Sequence, residues 1–273
     1  MTLTKRNHFF LGLHILFGIL VIIIAVLFFA AYTLKAVYPP PVIQADANAS
    51  LKLFRYSFKA VVLSIAVFMV FASLGTFLVY RNFEKTQSNE IFFFSGFFIC
   101  CMTESMRLLI PLFGLWQSYS PLFLFIGRAV FFGRMLFPLC FLFSATMSSS
   151  DQSKNIERNY TIMLAVTVVF AAIMPLNTVV PTGLCTIYWG FPDIFALIRG
   201  IFLLLAVVSM LINAHQHESP ELRQAAAGLV ILIIGYTFLT HADTFFKLII
   251  GTVCLAAGCY QYLAKIHQLY LWK

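Results

Sequence analysis

The chain has 273 residues, 61% of them hydrophobic and only 10% charged, with a formal net charge of +8. Soluble domains carry roughly 25% charged residues, and the mean hydropathy here is +0.92, so the composition excludes a soluble domain and implies a polytopic membrane protein. The basic excess lies mostly at the ends of apolar runs, where membrane topology accounts for it and no nucleic-acid partner is needed.

The first apolar run, Phe9–Tyr32, follows Lys5 and Arg6. It exceeds the ~7–15-residue core of a secretory signal, so it reads as an uncleaved first helix, 9–33. At ~20 apolar residues per crossing, seven more helices follow at 60–80, 91–115, 121–146, 160–180, 193–213, 223–241 and 244–264. Ala225–Leu263 is too long for one crossing, and His241-Ala242-Asp243 supplies its polar break. A seven-helix arrangement with a long kinked last helix is the alternative. The expected fold class is therefore all-α, an eight-helix transmembrane bundle forming a single integral membrane domain over 1–273.

An even number of spans puts both termini on one side. With the termini cytoplasmic, that side holds Lys5, Arg6, Arg81, Lys85, Lys154, Arg158, Arg223, Lys265 and Lys273, against Lys35, Lys52, Arg55, Lys59 and Lys247 outside. The positive-inside rule favours that orientation. The expected surroundings are the lipid bilayer of a cell membrane, the cytoplasmic membrane in a bacterium.

The longest loop is the external segment 35–59. Tyr38-Pro39-Pro40-Pro41 is stiff and extended, and Asp46-Ala-Asn-Ala-Ser50 suits a helix start. Leu51, Phe54 and Phe58 then share one helical face, with Lys52, Arg55 and Lys59 on another. A short basic amphipathic helix at the lipid headgroups is expected there.

The third span, Phe92–Trp116, carries Glu104 and Arg107 in its middle. Three residues apart on a helix, they lie on one face and can pair. An ionised group at membrane depth costs at least ~2.5–3.5 kcal/mol, so it is normally paired or faces a cavity. Arg128 lies near the external start of the fourth helix, Asp193 opens the sixth, and Arg199 follows two turns later. Asp243 sits at the external turn beside His241, with Lys247 one turn on. Three acids and four bases thus share the external half. Arg134 lies roughly 240° round the helix from Arg128, off that face, and reads as a further buried partner for a backbone carbonyl.

Two readings of these charges compete. One is a network of buried ion pairs that fixes helix register and holds no ligand. The other is an externally open polar cavity whose ligand-binding residues are Glu104, Arg107, Arg128, Arg199 and Asp243. Its excess of base suits a small anionic ligand, a carboxylate or phosphate held by arginine forks.

Elsewhere the chain offers little chemistry. Five of its six cysteines fall in apolar spans and Cys185 in a short loop, without C-x-x-C or metal-ligand spacing. His14 is alone in its helix, which gives no haem pair, and His215-Gln-His217-Glu218 reads as a polar turn. No G-x-S-x-G, H-E-x-x-H, Walker or dinucleotide motif is present. No cofactor, metal or catalytic residue is therefore assigned. Pro111, Pro138 and Pro175 are expected to kink the third, fourth and fifth helices. The spacing of Gly96, Glu104-Ser105 and Arg107 is echoed by Gly235, Asp243-Thr244 and Lys247, which suggests a four-plus-four tandem repeat.

The expected function is a sensor or signalling-type module. It would bind its ligand outside, shift helices inward, and act through a separate cytoplasmic output protein. A small-solute transporter or permease is the alternative. A membrane enzyme acting on lipid, with His241 and Asp243 as acid–base groups, comes third.

Overall fold

A computed structural model describes residues 3–40, 52–83, 88–116, 120–146, 156–178 and 182–271. Among these are eight helices long and apolar enough to cross a membrane. They are α1 (Leu3–Thr33), α2 (Phe58–Asn82), α3 (Asn89–Phe113), α4 (Pro121–Thr146), α5 (Ile156–Ile173), α6 (Pro192–Gln216), α7 (Pro220–Thr240) and α8 (Phe245–Leu271). Contacts such as Arg6 with Phe83, Ser144 with Glu90 and Asn213 with Ala145 gather one set of helix ends beside the chain termini. We call this the terminal end and the opposite one the distal end.

Local sequence sets several boundaries. Ser88 and Ser219 cap α3 and α7, their hydroxyls accepting from Ile91 N and Leu222 N at 3.3 Å, and Pro220 occupies the first helical turn where its missing N–H is harmless. Gly114 ends α3 at φ +62°, a left-handed turn that a side chain would strain, with its N–H on the Ile110 carbonyl. Inside α3 the helix tightens to a 3₁₀ turn over Ser105–Leu108. Pro111 has no N–H to return to the Arg107 carbonyl, which relieves the helix of its ordinary geometry there.

Three expectations change. The fifth helix stops at Ile173, so Pro175 lies beyond it and kinks nothing; Leu176–Asn177 (β1) instead pairs antiparallel with Tyr188–Trp189 (β2). The amphipathic interfacial helix is, among the described residues, one 3₁₀ turn at Lys52–Phe54, and Leu51 lies outside those residues. Ser57 is extended (φ −142°, ψ 115°) and its N–H donates to the Asp243 carbonyl at 2.8 Å, which stops that turn from running into α2. The proposed repeat also finds no shared environment, because Glu104 lies within α3 whereas Asp243 lies in the turn after α7.

Helices α3 and α4 form the centre, with 67% of the most apolar window of each buried; the same figure is 11% for α1 and α6, which leaves those two facing lipid. Helices α7 and α8 are separate and antiparallel, joined at a turn that includes His241–Asp243. Glycines at 228, 235, 251 and 258 let their backbones touch: a Cβ on Gly228 would lie 2.8 Å from Tyr262 N, and one on Gly235 would meet the Leu255 backbone. Small residues at helix contacts are how apolar helices gain close packing without water to drive them together.

Candidate functional site

The polar centre is built on Glu104, which is fully buried at the point where α3 tightens. Its Oε1 accepts from Arg134 Nε at 2.7 Å and, over a longer 3.4 Å, from the Tyr236 hydroxyl. Its Oε2 accepts from Arg107 Nη1 at 2.9 Å and Arg134 Nη2 at 3.2 Å. One carboxylate therefore takes donors from α3, α4 and α7. The Tyr236 ring is fixed by stacking on Phe137 (centroids 4.0 Å apart) and by edge contacts with Phe68 and Phe97.

The remaining face of Arg107 meets the loop between β1 and β2. Its Nε and Nη2 both donate to the Leu184 carbonyl, at 3.1 and 2.6 Å. An arginine fork of this kind also fits the two oxygens of a carboxylate or phosphate. The loop is held in place by its own chemistry. Tyr56 donates to the Gly183 carbonyl at 2.9 Å, the Thr182 hydroxyl accepts from Thr186 N at 2.9 Å, and Cys185 (φ +54°) and Ile187 are buried beneath it. Burial pushes the Cys185 thiol up to about 12, with the Arg107 guanidinium pulling the other way. Burial also raises the Tyr56 phenol, and the nearby Cys185 and Asp243 add to the shift. Both groups stay protonated, as hydrogen-bonding and packing residues of a plug.

Beside the triad, the loop delivers Trp189. The Arg134 guanidinium lies over its indole at 5.1 Å and that of Arg199 at 5.6 Å. Arg199 is half-buried on α6, and its Nε reaches only the Phe195 carbonyl one turn back, at 3.3 Å. Among the described residues no acid pairs with it. The buried Trp189 Nε1 likewise has no hydrogen-bond partner among them. At the rim stands His241, bonded to the Thr237 carbonyl at 3.0 Å. Burial first, then the Arg134 guanidinium, hold its imidazole below the ordinary histidine value.

Of the residues singled out from sequence, Glu104, Arg107 and Arg199 meet around this centre. Arg128 does not: it is exposed on a different face of α4, roughly 120° from Arg134 by the shorter way round, and none of the described residues pairs with it. Asp243 also lies apart. Lys247 Nζ stands 2.8 Å from its Oδ1 and 2.9 Å from its Oδ2, and only the second contact has hydrogen-bond geometry. His241 and Asp243 share a backbone bond, not a side-chain one, so the proposed acid–base pair is not assembled. Asp193 is exposed. His215 lies in the last turn of α6 and His217 and Glu218 in the turn that follows, Glu218 at φ +48°, and no group of three metal-ligating side chains occurs among the described residues.

Sequence reasoning missed Tyr236 and Trp189, and it gave the buried Arg134 the wrong partner. Arg134 meets the Glu104 carboxylate instead of a backbone carbonyl. Its level is fixed by the α3–α4 contact, where Gly133 lies against Thr103. The available signal was charge balance, since a buried carboxylate in mid-span calls for more than one donor.

A second buried carboxylate also escaped notice. Glu90, at the terminal end of α3, accepts from the Ser88 hydroxyl at 2.9 Å and from the Tyr270 hydroxyl of α8 at 2.6 Å. Ser144 of α4 donates to the Glu90 carbonyl at 3.2 Å and lies 2.8 Å from the Tyr262 hydroxyl. The polar cap at Ser88 was its sequence sign.

No family model, curated protein or solved structure matches the chain. The functional reading therefore rests on these residues alone.

Proposed function

We propose that the chain is a sensor-type membrane module that binds a small anion in its distal half and passes the event to its terminal half through the α7–α8 hairpin. One observation carries this reading. The two buried carboxylates of α3 each receive a tyrosine from that hairpin, Glu104 from Tyr236 and Glu90 from Tyr270. The glycine seam lets α7 and α8 shift as a unit, so a change at Glu104 reaches Glu90 without bending either helix.

The input is the guanidinium excess around Glu104. An anion drawn there competes with Glu104 for Arg134, which loosens the Tyr236 contact to the same carboxylate. In this reading the terminal end faces the cytoplasm, where nine of the basic residues that flank the spans then lie. A separate cytoplasmic protein takes the output.

Hydrogen exchange measured with and without inorganic phosphate tests the relay. Slower or faster exchange over 262–271 on adding phosphate, abolished in Tyr236→Phe, is the expected result. Changes confined to the distal end would sink it.

Transport is the second reading, favoured by the break of α3 into a 3₁₀ turn at its charged residues, a feature of helices that line solute paths. Phosphate flux into proteoliposomes decides between the two.

A further inference from the structure

We infer that a phosphate-type oxyanion seats at the edge of the Trp189 indole, held by Arg134, Arg199 and the indole N–H; this inference rests on the anion-sensing reading and names its binding site. Two cationic donors and one neutral donor share this one side chain. Arg134 and Arg199 approach from α4 and α6 to lie over one ring, and the third donor, Trp189 Nε1, is buried without a partner. A buried donor left unmade is destabilising, and so is an unpaired guanidinium at membrane depth. A single anion relieves both.

Charge fixes the class of ligand. Glu104 already takes Arg107 and Arg134, so with Arg199 the centre holds three guanidiniums against one carboxylate. The number of donors narrows it further. A carboxylate has two oxygens and is satisfied by one fork. Two guanidiniums and an N–H from three separate elements suit a tetrahedral group with three or four oxygens. Arg199 is half-buried on α6, whose outer face carries the exposed Leu197, Ile201 and Leu204. Arg199 is therefore the point of entry, for a phosphate from solution or for a phospholipid headgroup arriving along α6, and the anion must part the packing around Trp189 Nε1 to reach it.

The test uses the full chain in dodecyl maltoside, with the unfolding midpoint as readout. Inorganic phosphate is titrated in one arm. Phosphatidic acid is titrated in a second, against diacylglycerol with the same acyl chains. A saturable rise with free phosphate supports a soluble ligand; a rise with phosphatidic acid and none with diacylglycerol supports a lipid headgroup. Arg199→Gln should weaken that binding roughly tenfold or more, since it removes charge-assisted hydrogen bonds, and Arg199→Lys should restore part of it. Trp189→Phe keeps the ring, removes only the N–H, and should weaken binding several-fold. If neither ligand raises the midpoint, or the rise is unchanged in both Arg199→Gln and Trp189→Phe, the seat is overturned. If binding behaves as expected while exchange over 262–271 stays the same, the seat stands and the relay through α7–α8 fails.

Discussion

Arg134 Nε lies 2.7 Å from Glu104 Oε1, thirty residues along the chain and on the neighbouring helix. That contact, with Arg107 on the other carboxylate oxygen, turns two isolated charges of the sequence into one buried unit.

Removing the acid should be the most damaging single change in this unit. Glu104→Gln leaves two guanidiniums buried without an anion, and breaking a buried pair by removing one partner costs about 3–5 kcal/mol. A large fall in unfolding midpoint in detergent is expected. Replacing Glu104, Arg107 and Arg134 together by leucine should recover part of that loss, because no charge is then stranded. An unchanged midpoint for Glu104→Gln would show that the triad contributes nothing to stability.

The hairpin seam makes an independent prediction. A leucine at Gly235 collides with the Leu255 backbone and must push α7 and α8 apart, whereas a Cβ at Gly12 meets nothing within 4 Å. Gly235→Leu should lower the folded yield and broaden the peak in size-exclusion chromatography. Gly12→Leu should behave as the wild type.

At the terminal end, Tyr270→Phe removes the 2.6 Å bond to Glu90 while keeping the ring. The expected loss is about 1–3 kcal/mol, read as faster hydrogen exchange at the end of α8. Equal exchange in the two proteins would mean that this bond does not hold the helix down.

Cys185 reports on the plug. Its thiol stands at about 12, against an ordinary value of 9.0, because burial disfavours the thiolate. The folded state therefore holds this proton more tightly than the unfolded one. The resulting stability is complete below pH 9 and is lost as pH rises toward 12. Maleimide should label Cys185 far more slowly than a free thiol at pH 7, with labelling accelerating in denaturant or when Tyr56→Phe frees Gly183. Rapid labelling of the native protein at pH 7 would contradict a closed loop.

Much of the architecture was legible because a bilayer imposes a length. The apolar runs of α2, α4 and α6 are bounded by charge or proline, and their ends fall within a few residues of the expected positions. The Glu104–Arg107 pair was also legible, since helical spacing alone brings residues three apart together. Arg128 shows where this kind of reading stops. From sequence it is one more arginine near the distal end of an apolar helix, as Arg199 is, and only the packing of α4 turns it outward.

The sequence by itself determined a chain of membrane-spanning helices with charges stranded inside them, because composition, span length and i,i+3 spacing are local properties. Tertiary structure alone decided which charges meet. Arg134 joins Glu104 through the antiparallel level of α3 and α4, and Trp189 reaches Arg199 because β1–β2 folds its loop back into the bundle. Those contacts depend on helix rotation and relative height, which are fixed by packing between segments distant in the chain and leave no periodic mark along it.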